Sequence, residues 1–268
     1  MTKKLIFLKQ KSKEIRSIIL ETALKAGKGH VPPALSWADL AAYLFYSKKF
    51  NFFSNSSNKD KFILSKGHGC LTIYAILADF GYIKKSDLSN FSGEGSLLPG
   101  HPDTKIKKIE NCSGSLGHGV AIGCGKAIAL KYKKINKKVV VLLGDGECQE
   151  GSIWESFIFA AQNKLDNLTV IIDYNKLGAT DFIKKTGDLS PLYKKVKSFG
   201  FDVFQINGHS FNDFDKMFNK INKKNKRPKC IIANTVKGKG VSFMENSKNW
   251  HHQLPKGDQI NIARKELS

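Results

Sequence analysis

The stretch Val139-Val-Val-Leu-Leu-Gly-Asp-Gly-Glu-Cys-Gln-Glu-Gly151 has the pattern of a buried strand that ends in an aspartate between two glycines. A second apolar run, Leu168-Thr-Val-Ile-Ile-Asp-Tyr-Asn175, follows after a segment of helical period. The interval from Asp145 to Asn175 matches one strand-helix-strand unit, so we expect both side chains at the ends of neighbouring parallel strands. Carboxylate, amide and backbone carbonyl oxygens suit Mg²⁺, and the flanking glycines leave room for a diphosphate. The unit therefore predicts a magnesium site beside a diphosphate.

Strands and helices alternate through the second half of the chain, which indicates a doubly wound α/β fold. The strands are short and apolar without clean alternation, as expected for a mostly parallel sheet with helices on both faces. We find no repeat and no linker, and we predict a single domain over residues 1–268. The predicted strands are residues 139–143, 168–173, 201–206 and 229–235, and the predicted helices are residues 12–26, 36–46, 70–80, 116–132, 153–163, 191–199 and 211–221.

Composition narrows the class of protein further. No apolar run approaches the roughly 18 residues of a membrane span, and five dispersed cysteines without a Cys-x-x-Cys pair fit a reducing cytosol, so we expect a soluble cytoplasmic protein. The net charge of +21 suggests nucleic acid, but only three of the 44 basic residues are arginines, the side chain that base readout and phosphate clamping favour. We therefore interpret the charge as solvated surface and expect neither a nucleic-acid nor a membrane partner.

The histidines of the first half of the chain are its main candidate functional residues. Five of the seven directly follow a glycine, although fewer than one such pair is expected from 23 glycines in 268 residues. A glycine beside a histidine lets the backbone approach a ligand and presents the imidazole from a turn. We interpret those of the first half as functional and His209, in an Asn-Gly-His turn after a strand, as structural; the five are His30, His68, His101, His118 and His209.

Taken together, these motifs resemble the thiamine diphosphate domain of transketolase, and specifically the separate N-terminal subunit of split transketolases. The resemblance runs through nearly the whole chain, with several independent motifs in the family's order. Besides the Gly-Asp-Gly unit it rests on Lys28-Gly-His-Val-Pro-Pro-Ala-Leu-Ser36, Asp60-Lys-Phe-Ile-Leu-Ser-Lys-Gly-His-Gly69, Gly100-His-Pro102, Gly114-Ser-Leu-Gly-His-Gly119, and Val236-Lys-Gly-Lys-Gly-Val-Ser-Phe-Met-Glu-Asn246 followed by Trp250-His251.

The resemblance implies two cofactors, Mg²⁺ and thiamine diphosphate, and a role for each matching residue. It assigns Mg²⁺ to Asp145, Asn175 and the carbonyl of Leu177. It places around thiamine diphosphate His68, Gly114, Ser115, Leu116, Gly146, Asn175 and His251. The catalytic set is His30, His101 and His251, which would line the substrate channel, and Glu150 at the family's interface carboxylate. His118 stands where glutamine is common in single-chain members, and the pair His251-His252 leaves the last histidine uncertain by one place.

The implied activity is transfer of a two-carbon ketol unit from a ketose phosphate to an aldose phosphate. The family's pyrimidine-binding domain and its phosphate-reading arginines have no counterpart here, so the resemblance implies a heterotetramer with a separate C-terminal subunit, inactive without that partner. Two alternatives stay open at this point. One is a subunit of another thiamine diphosphate enzyme, a specialised ketolase or a 2-oxo acid dehydrogenase, and the other is a non-catalytic basic interaction protein.

Overall fold

The computed structural model describes residues 2–56, 58–221 and 225–268. Its first half is mainly helical, and strands and helices alternate in the second. The α-helices are α1 (Lys3–Ala26), α2 (Val31–Leu35), α3 (Ala38–Tyr46), α4 (Cys70–Asp79), α5 (Gly119–Tyr132), α6 (Gly151–Gln162), α7 (Ile183–Gly187), α8 (Leu192–Ser198), α9 (Phe211–Lys220) and α10 (Asp258–Leu267). The strands are β1 (Lys61–Leu64), β2 (Val139–Gly144), β3 (Leu168–Tyr174), β4 (Asp202–Asn207) and β5 (Lys229–Asn234), and 3₁₀ turns occupy Gly67–Gly69, Lys85–Asn90, Gly146–Gln149 and Lys248–Trp250.

All five strands form one parallel sheet in the order β1-β2-β3-β5-β4. In the register of β2 with β3, Gly144 lies opposite Asp173. Asp145 and Asn175 therefore leave the sheet at the same edge, where the carboxyl ends of parallel strands present their loops to a ligand.

Side chains of the central strands alternate between two apolar layers, one on each face of the sheet. Val140 and Leu142 face a layer built with α1, α2, α3, α4, α9 and α10. Val139 and Val141 face a layer built with α5, α6 and α8. On this second face α5 lies close to the sheet, since a Cβ added at Gly123 would be 2.5 Å from Cγ2 of Val141. Burial on both faces confirms the doubly wound parallel fold that the sequence predicts.

The seven predicted helices and four predicted strands are all present, with ends shifted by a few residues except at α1. Helix α1 begins at Lys3, nine residues before the prediction, because Thr2 caps it through a hydrogen bond from the amide of Leu5. Strand β1 and the helices α2, α7 and α10 were not predicted. The predicted domain also includes residues 1, 57 and 222–224, which lie outside the described residues, and the single-domain assignment stays a prediction.

Two further features concern membrane-spanning helices and the state of the cysteines. Within the described ranges, no helix combines the length and apolar character that crossing a membrane requires. All five cysteines are free thiols, four of them buried and Cys112 exposed.

Candidate active site

A cavity of about 250 Å³ opens at the carboxyl ends of β1, β2 and β3. Its walls come from the loops that follow these strands, from the turn before α2, from the segment before α5 and from the segment after β5. The lining includes a cluster of histidines, two lysines, two carboxylates and several glycines. The residues are His30, Pro33, Lys66, His68, His101, Gly114, Leu116, Gly144, Asp145, Gly146, Glu147, Asn175, Leu177, Gly178, Ala179, Lys237, His251 and His252.

The predicted metal ligands Asp145, Asn175 and Leu177 all line this cavity. The Asp145 residue is 3% exposed, and its carboxylate accepts hydrogen bonds from the backbone amides of Gly146 (2.8 Å) and Lys176. Asn175 turns its Oδ1 toward the amide of Leu177 at 3.1 Å. Burial, and then the nearby Asp173 carboxylate, raise the pKa of Asp145 to about 7. Asp145 is thus a buried carboxylate without an ion-pair partner in the described part of the chain, and a bound divalent cation would stabilise its ionised form.

Lys237 is a buried cation of the same cavity that likewise has no ion-pair partner among the described residues. The sequence alone did not single it out as a site residue. It is 1% exposed, and its Nζ donates to the carbonyl of Gly178 at 2.6 Å and lies 3.4 Å from that of Leu177. No carboxylate of the described residues lies within ion-pair distance of it. Burial, and then the charge of Lys66, lower the pKa of Lys237 to about 8. Asp145 and Lys237 are thus a buried carboxylate and a buried ammonium of the cavity, and neither contacts an opposite charge of the described residues.

Three other buried charges lie in or beside the wall: Lys66 and Asp173 form an ion pair, and Glu147 is hydrogen-bonded. Lys66 forms an ion pair with Asp173, and this carboxylate also accepts from the hydroxyls of Ser36 and Thr235. Although burial alone would raise it, the charge of Lys66 holds the pKa of Asp173 below its usual value. Glu147 accepts hydrogen bonds from one hydroxyl and two backbone amides of the loops around it. Its partners are Ser65, Gly117 (2.9 Å) and Gly144 (3.2 Å).

The histidines form a cluster on the side of the cavity formed by the turn before α2. The ring of His30 is 6.0 Å from that of His68, 6.1 Å from that of His101 and 5.4 Å from that of His251, centroid to centroid. Its nearest imidazole is His252, at 4.4 Å, a residue that the resemblance left without a role. Sequence reasoning brought the first four of these rings to one site, and the structure does so too.

Burial lowers the pKa of four of these imidazoles and so favours their neutral form. Burial, and then His252, lower the pKa of His30 to about 4. Burial, and then the charge of Lys237, lower the pKa of His251 to about 3. The pKa values of His68 and His101 are also lowered by burial. A neutral imidazole can both donate and accept a proton, which suits it to orienting and deprotonating hydroxyl groups.

Some of the other predicted site residues line the cavity and some do not. Gly114, Leu116 and Gly146 line the cavity, whereas Ser115 and Glu150 are exposed and are not among its described lining residues. Glu150 directly precedes α6, and its side chain lies beside the Gly117 loop. The roles of Ser115 and Glu150 stay predictions.

The remaining two histidines lie outside the cluster. His118 is exposed at the start of α5. His209 is structural, as predicted: its Nδ1 is 2.8 Å from Asp39, and its Nε2 accepts from the amide of Val236 at 2.9 Å.

Comparisons with known proteins identify the family of the chain. Residues 8–268 match the family described as transketolase, thiamine diphosphate binding domain. One subunit of the apulose-4-phosphate transketolase of Actinobacillus succinogenes is 39% identical over 97% of this chain and 95% of its own length. The equivalent protein of Phocaeicola vulgatus is 36% identical over 97% of this chain and 94% of its own length. The crystal structure of transketolase from Campylobacter jejuni superimposes with a TM-score of 0.91 and 30% identity, covering 98% of this chain and 43% of that one.

The fold and the cavity together define a thiamine diphosphate-binding α/β protein. The chain belongs to the transketolase family, and it matches the domain that binds thiamine diphosphate. It matches the two relatives that are named as transketolase subunits over almost their full length, and it spans less than half of the solved transketolase.

Proposed function

We propose that this chain holds Mg²⁺ and thiamine diphosphate and supplies one half of the active site of a transketolase. The reaction moves a two-carbon ketol unit from a ketose phosphate to an aldose phosphate. The observation that carries the proposal is the single cavity that Asp145, Asn175, Leu177 and five histidines line together. Bound thiamine diphosphate would supply the nucleophilic carbon and the electron sink for cleaving the carbon-carbon bond next to a carbonyl.

The unmatched charges of the cavity fit this cofactor. A magnesium diphosphate carries both a cation for the Asp145 carboxylate and an anion for the Lys237 ammonium. Burying either charge alone costs several kcal/mol, so a ligand that neutralises both recovers part of that cost when it binds. Oxygen atoms of Asp145, Asn175 and Leu177 are the donor set that Mg²⁺ prefers, with phosphate oxygens and water in the other positions.

The histidines divide by position into two roles. His68 lies in the 3₁₀ turn that leads into α4, where backbone amides favour phosphate, so we assign it mainly to the diphosphate. We assign the other three, His30, His101 and His251, to the substrate. As neutral imidazoles they bind the hydroxyls of the sugar and pass protons to and from its reacting oxygens.

The lining also supports dependence on a partner subunit. Its only carboxylates among the described residues are Asp145 and Glu147. The first belongs to the metal site, and the second is held by Ser65 and two backbone amides. No carboxylate of the described lining is left to bind and activate the pyrimidine half of the cofactor. We assign that group to a separate C-terminal subunit, with Glu150 at the surface between chains and a heterotetramer as the assembly.

The test compares the purified chain alone with the chain mixed with the family's C-terminal subunit from the same genome. Both samples receive Mg²⁺, thiamine diphosphate, a pentulose phosphate donor and a pentose phosphate acceptor. We expect cofactor binding in both samples and turnover only in the mixture. Full turnover by the chain alone would overturn the partner assignment, and no turnover in an assembled mixture would overturn the transketolase assignment for these sugars.

Apulose 4-phosphate is the second donor to assay, because the relatives matched over nearly their whole length carry that sugar in their names. A higher kcat/KM with this donor than with the pentulose phosphate would assign the chain to a specialised ketolase rather than to a transketolase of the pentose phosphate pathway. The five free thiols support a cytoplasmic place for either reaction.

A further inference from the structure

Three imidazoles of the cavity lie close enough together to bind a single ion. His30, His251 and His252 each have a ring nitrogen that lies within 4.8 Å of one on both of the others. The ring of His252 is 4.4 Å from that of His30 and 4.6 Å from that of His251. The oxygen ligands expected for Mg²⁺ belong to other residues, so this trio is a separate feature of the site.

We propose that His30, His251 and His252 form a binding site for a divalent transition metal of the Zn²⁺ class. Three histidines with an open fourth position are a common zinc coordination set. Zn–N bonds of about 2.0–2.1 Å in a tetrahedron require ring nitrogens roughly 3.4 Å apart. The nitrogens here lie within 4.8 Å of one another, so they must approach by at most about 1.4 Å, which rotation of the side chains on the turn before α2 and the segment after Trp250 provides.

Among the described contacts, two of the three rings are free to bind a metal, and the third has one ring nitrogen free. In the described part of the chain no hydrogen-bond partner contacts the rings of His30 or His252, so coordination displaces no protein contact at these two residues. His251 has Lys237 at its Nδ1, 2.6 Å away, which leaves its Nε2 as the coordinating atom. The metal then takes the place of the proton on Nε2, the ring proton moves to Nδ1, and the contact with Lys237 must rearrange.

The chemistry of the trio selects the metal. Imidazole nitrogen binds Zn²⁺, Cu²⁺ and Ni²⁺ well, whereas Mg²⁺ takes oxygen ligands. Magnesium therefore occupies the oxygen set around Asp145 and does not compete at the histidines. A zinc ion at the trio would stand where His30 and His251 meet the substrate, so the metal and the sugar would exclude one another.

The experiment titrates Zn²⁺ into the purified full chain by calorimetry, with Mg²⁺ present throughout at about 5 mM, an excess over its oxygen site. Co²⁺ is added in a parallel titration, because a tetrahedral site gives it strong visible absorption bands. Neither readout depends on enzyme activity, so the result is independent of the proposed function. Cys112→Ser serves as the background, since Cys112 is an exposed thiol that could bind zinc on its own.

We expect one zinc per chain in this background and a tetrahedral cobalt spectrum. His252→Ala, at an exposed position that should fold normally, is expected to weaken zinc binding by at least about 100-fold. His30→Ala should do the same, and His118→Ala, an exposed histidine outside the cluster, should bind zinc as the background does. Equal zinc affinity with and without His252, an octahedral cobalt spectrum, or zinc binding that disappears with Cys112→Ser alone would overturn the site.

Discussion

Asp39 and Asp145 are both buried aspartates in the same α/β fold, yet their surroundings are opposite. Asp39 accepts two hydrogen bonds from the Arg16 guanidinium (3.0 and 2.7 Å) and contacts Nδ1 of His209 at 2.8 Å. Although burial opposes it, the charge of Arg16 holds the pKa of Asp39 well below its usual range. Asp145 has only backbone amides as described partners, and its pKa is raised to about 7.

The difference distinguishes buried charges that are paired within the protein and stabilise the fold from buried charges that we expect a ligand to pair. A buried carboxylate with a bidentate guanidinium has its desolvation offset inside the protein. A buried carboxylate without such a partner is retained at a cost in stability, and here it lies in a cavity with a buried lysine in the same condition. The same distinction divides the histidines, since His209 is held by two partners whereas His30 and His101 have none that the described structure shows.

The largest expected effect comes from breaking the paired charge. Asp39→Ala leaves Arg16 buried without a counter-charge, so we expect the free energy of unfolding of the ligand-free chain to fall by about 3–5 kcal/mol. Urea denaturation followed by circular dichroism measures it. The control is Glu21→Ala, which removes an exposed partner of Arg264 and should cost less than about 1 kcal/mol. Equal losses in the two variants would remove the distinction between these pairs.

The next effect concerns the unpaired histidines. His101→Ala and His30→Ala should each lower kcat of the reconstituted enzyme by about 10²-fold, because proton transfer to the sugar is lost, while cofactor affinity stays within a few-fold. His68→Ala should instead weaken thiamine diphosphate binding and recover in excess cofactor. Steady-state kinetics and calorimetry on the same samples distinguish the two groups. Unchanged kcat in both His101→Ala and His30→Ala would contradict the assignment.

The smallest expected effect is a pH dependence at Asp145. Its pKa is raised in the ligand-free chain, so this carboxyl binds more protons when folded, and its contribution to stability falls as the pH rises from about 4 to 7. Mg²⁺ needs the ionised form, so its affinity should be roughly 30-fold lower at pH 5.5 than at pH 8. Calorimetry with Mg²⁺ at both pH values tests this. A flat profile in the wild-type chain, or the same slope in Asp145→Asn, would show that another group is responsible.

Much of the fold could be predicted because its signals are long or repeated. Strands β2 and β3 are continuous apolar runs bounded by polar turns, and the period of the helices is regular. Strand β1 was missed because its four residues, Lys61–Leu64, lie beside a polar loop and are too few to show a clear strand pattern. Helix α10 escaped because only Ala263 and Leu267 of its ten residues are buried, too few to set a period.

The site was predictable where residue types are rare and not where they are common. Histidines after glycines stand out in the sequence, and the structure gathers three of these at one cavity. Lys66 and Lys237 do not stand out in a chain with 44 basic residues, and only burial distinguishes them from surface lysines. Asp173 shows the same limit: it lies on β3 close to the candidate ligands in sequence, and only its contact with Lys66 in the structure identifies it as structural.

The most direct test of the distinction is calorimetric binding of thiamine diphosphate to the isolated chain, with and without Mg²⁺. The matched pair of variants is Asp145→Ala, at the carboxyl end of β2, and Asp166→Ala, which removes a partner of Lys131 just before β3 at the opposite edge of the sheet. We predict one cofactor bound per chain only when Mg²⁺ is present, retained in Asp166→Ala and weakened at least about 100-fold in Asp145→Ala without loss of thermal stability. Equal binding in the two variants, or a fall in melting temperature that accompanies the loss in Asp145→Ala, would contradict the claim that Asp145 is a charge kept for a ligand.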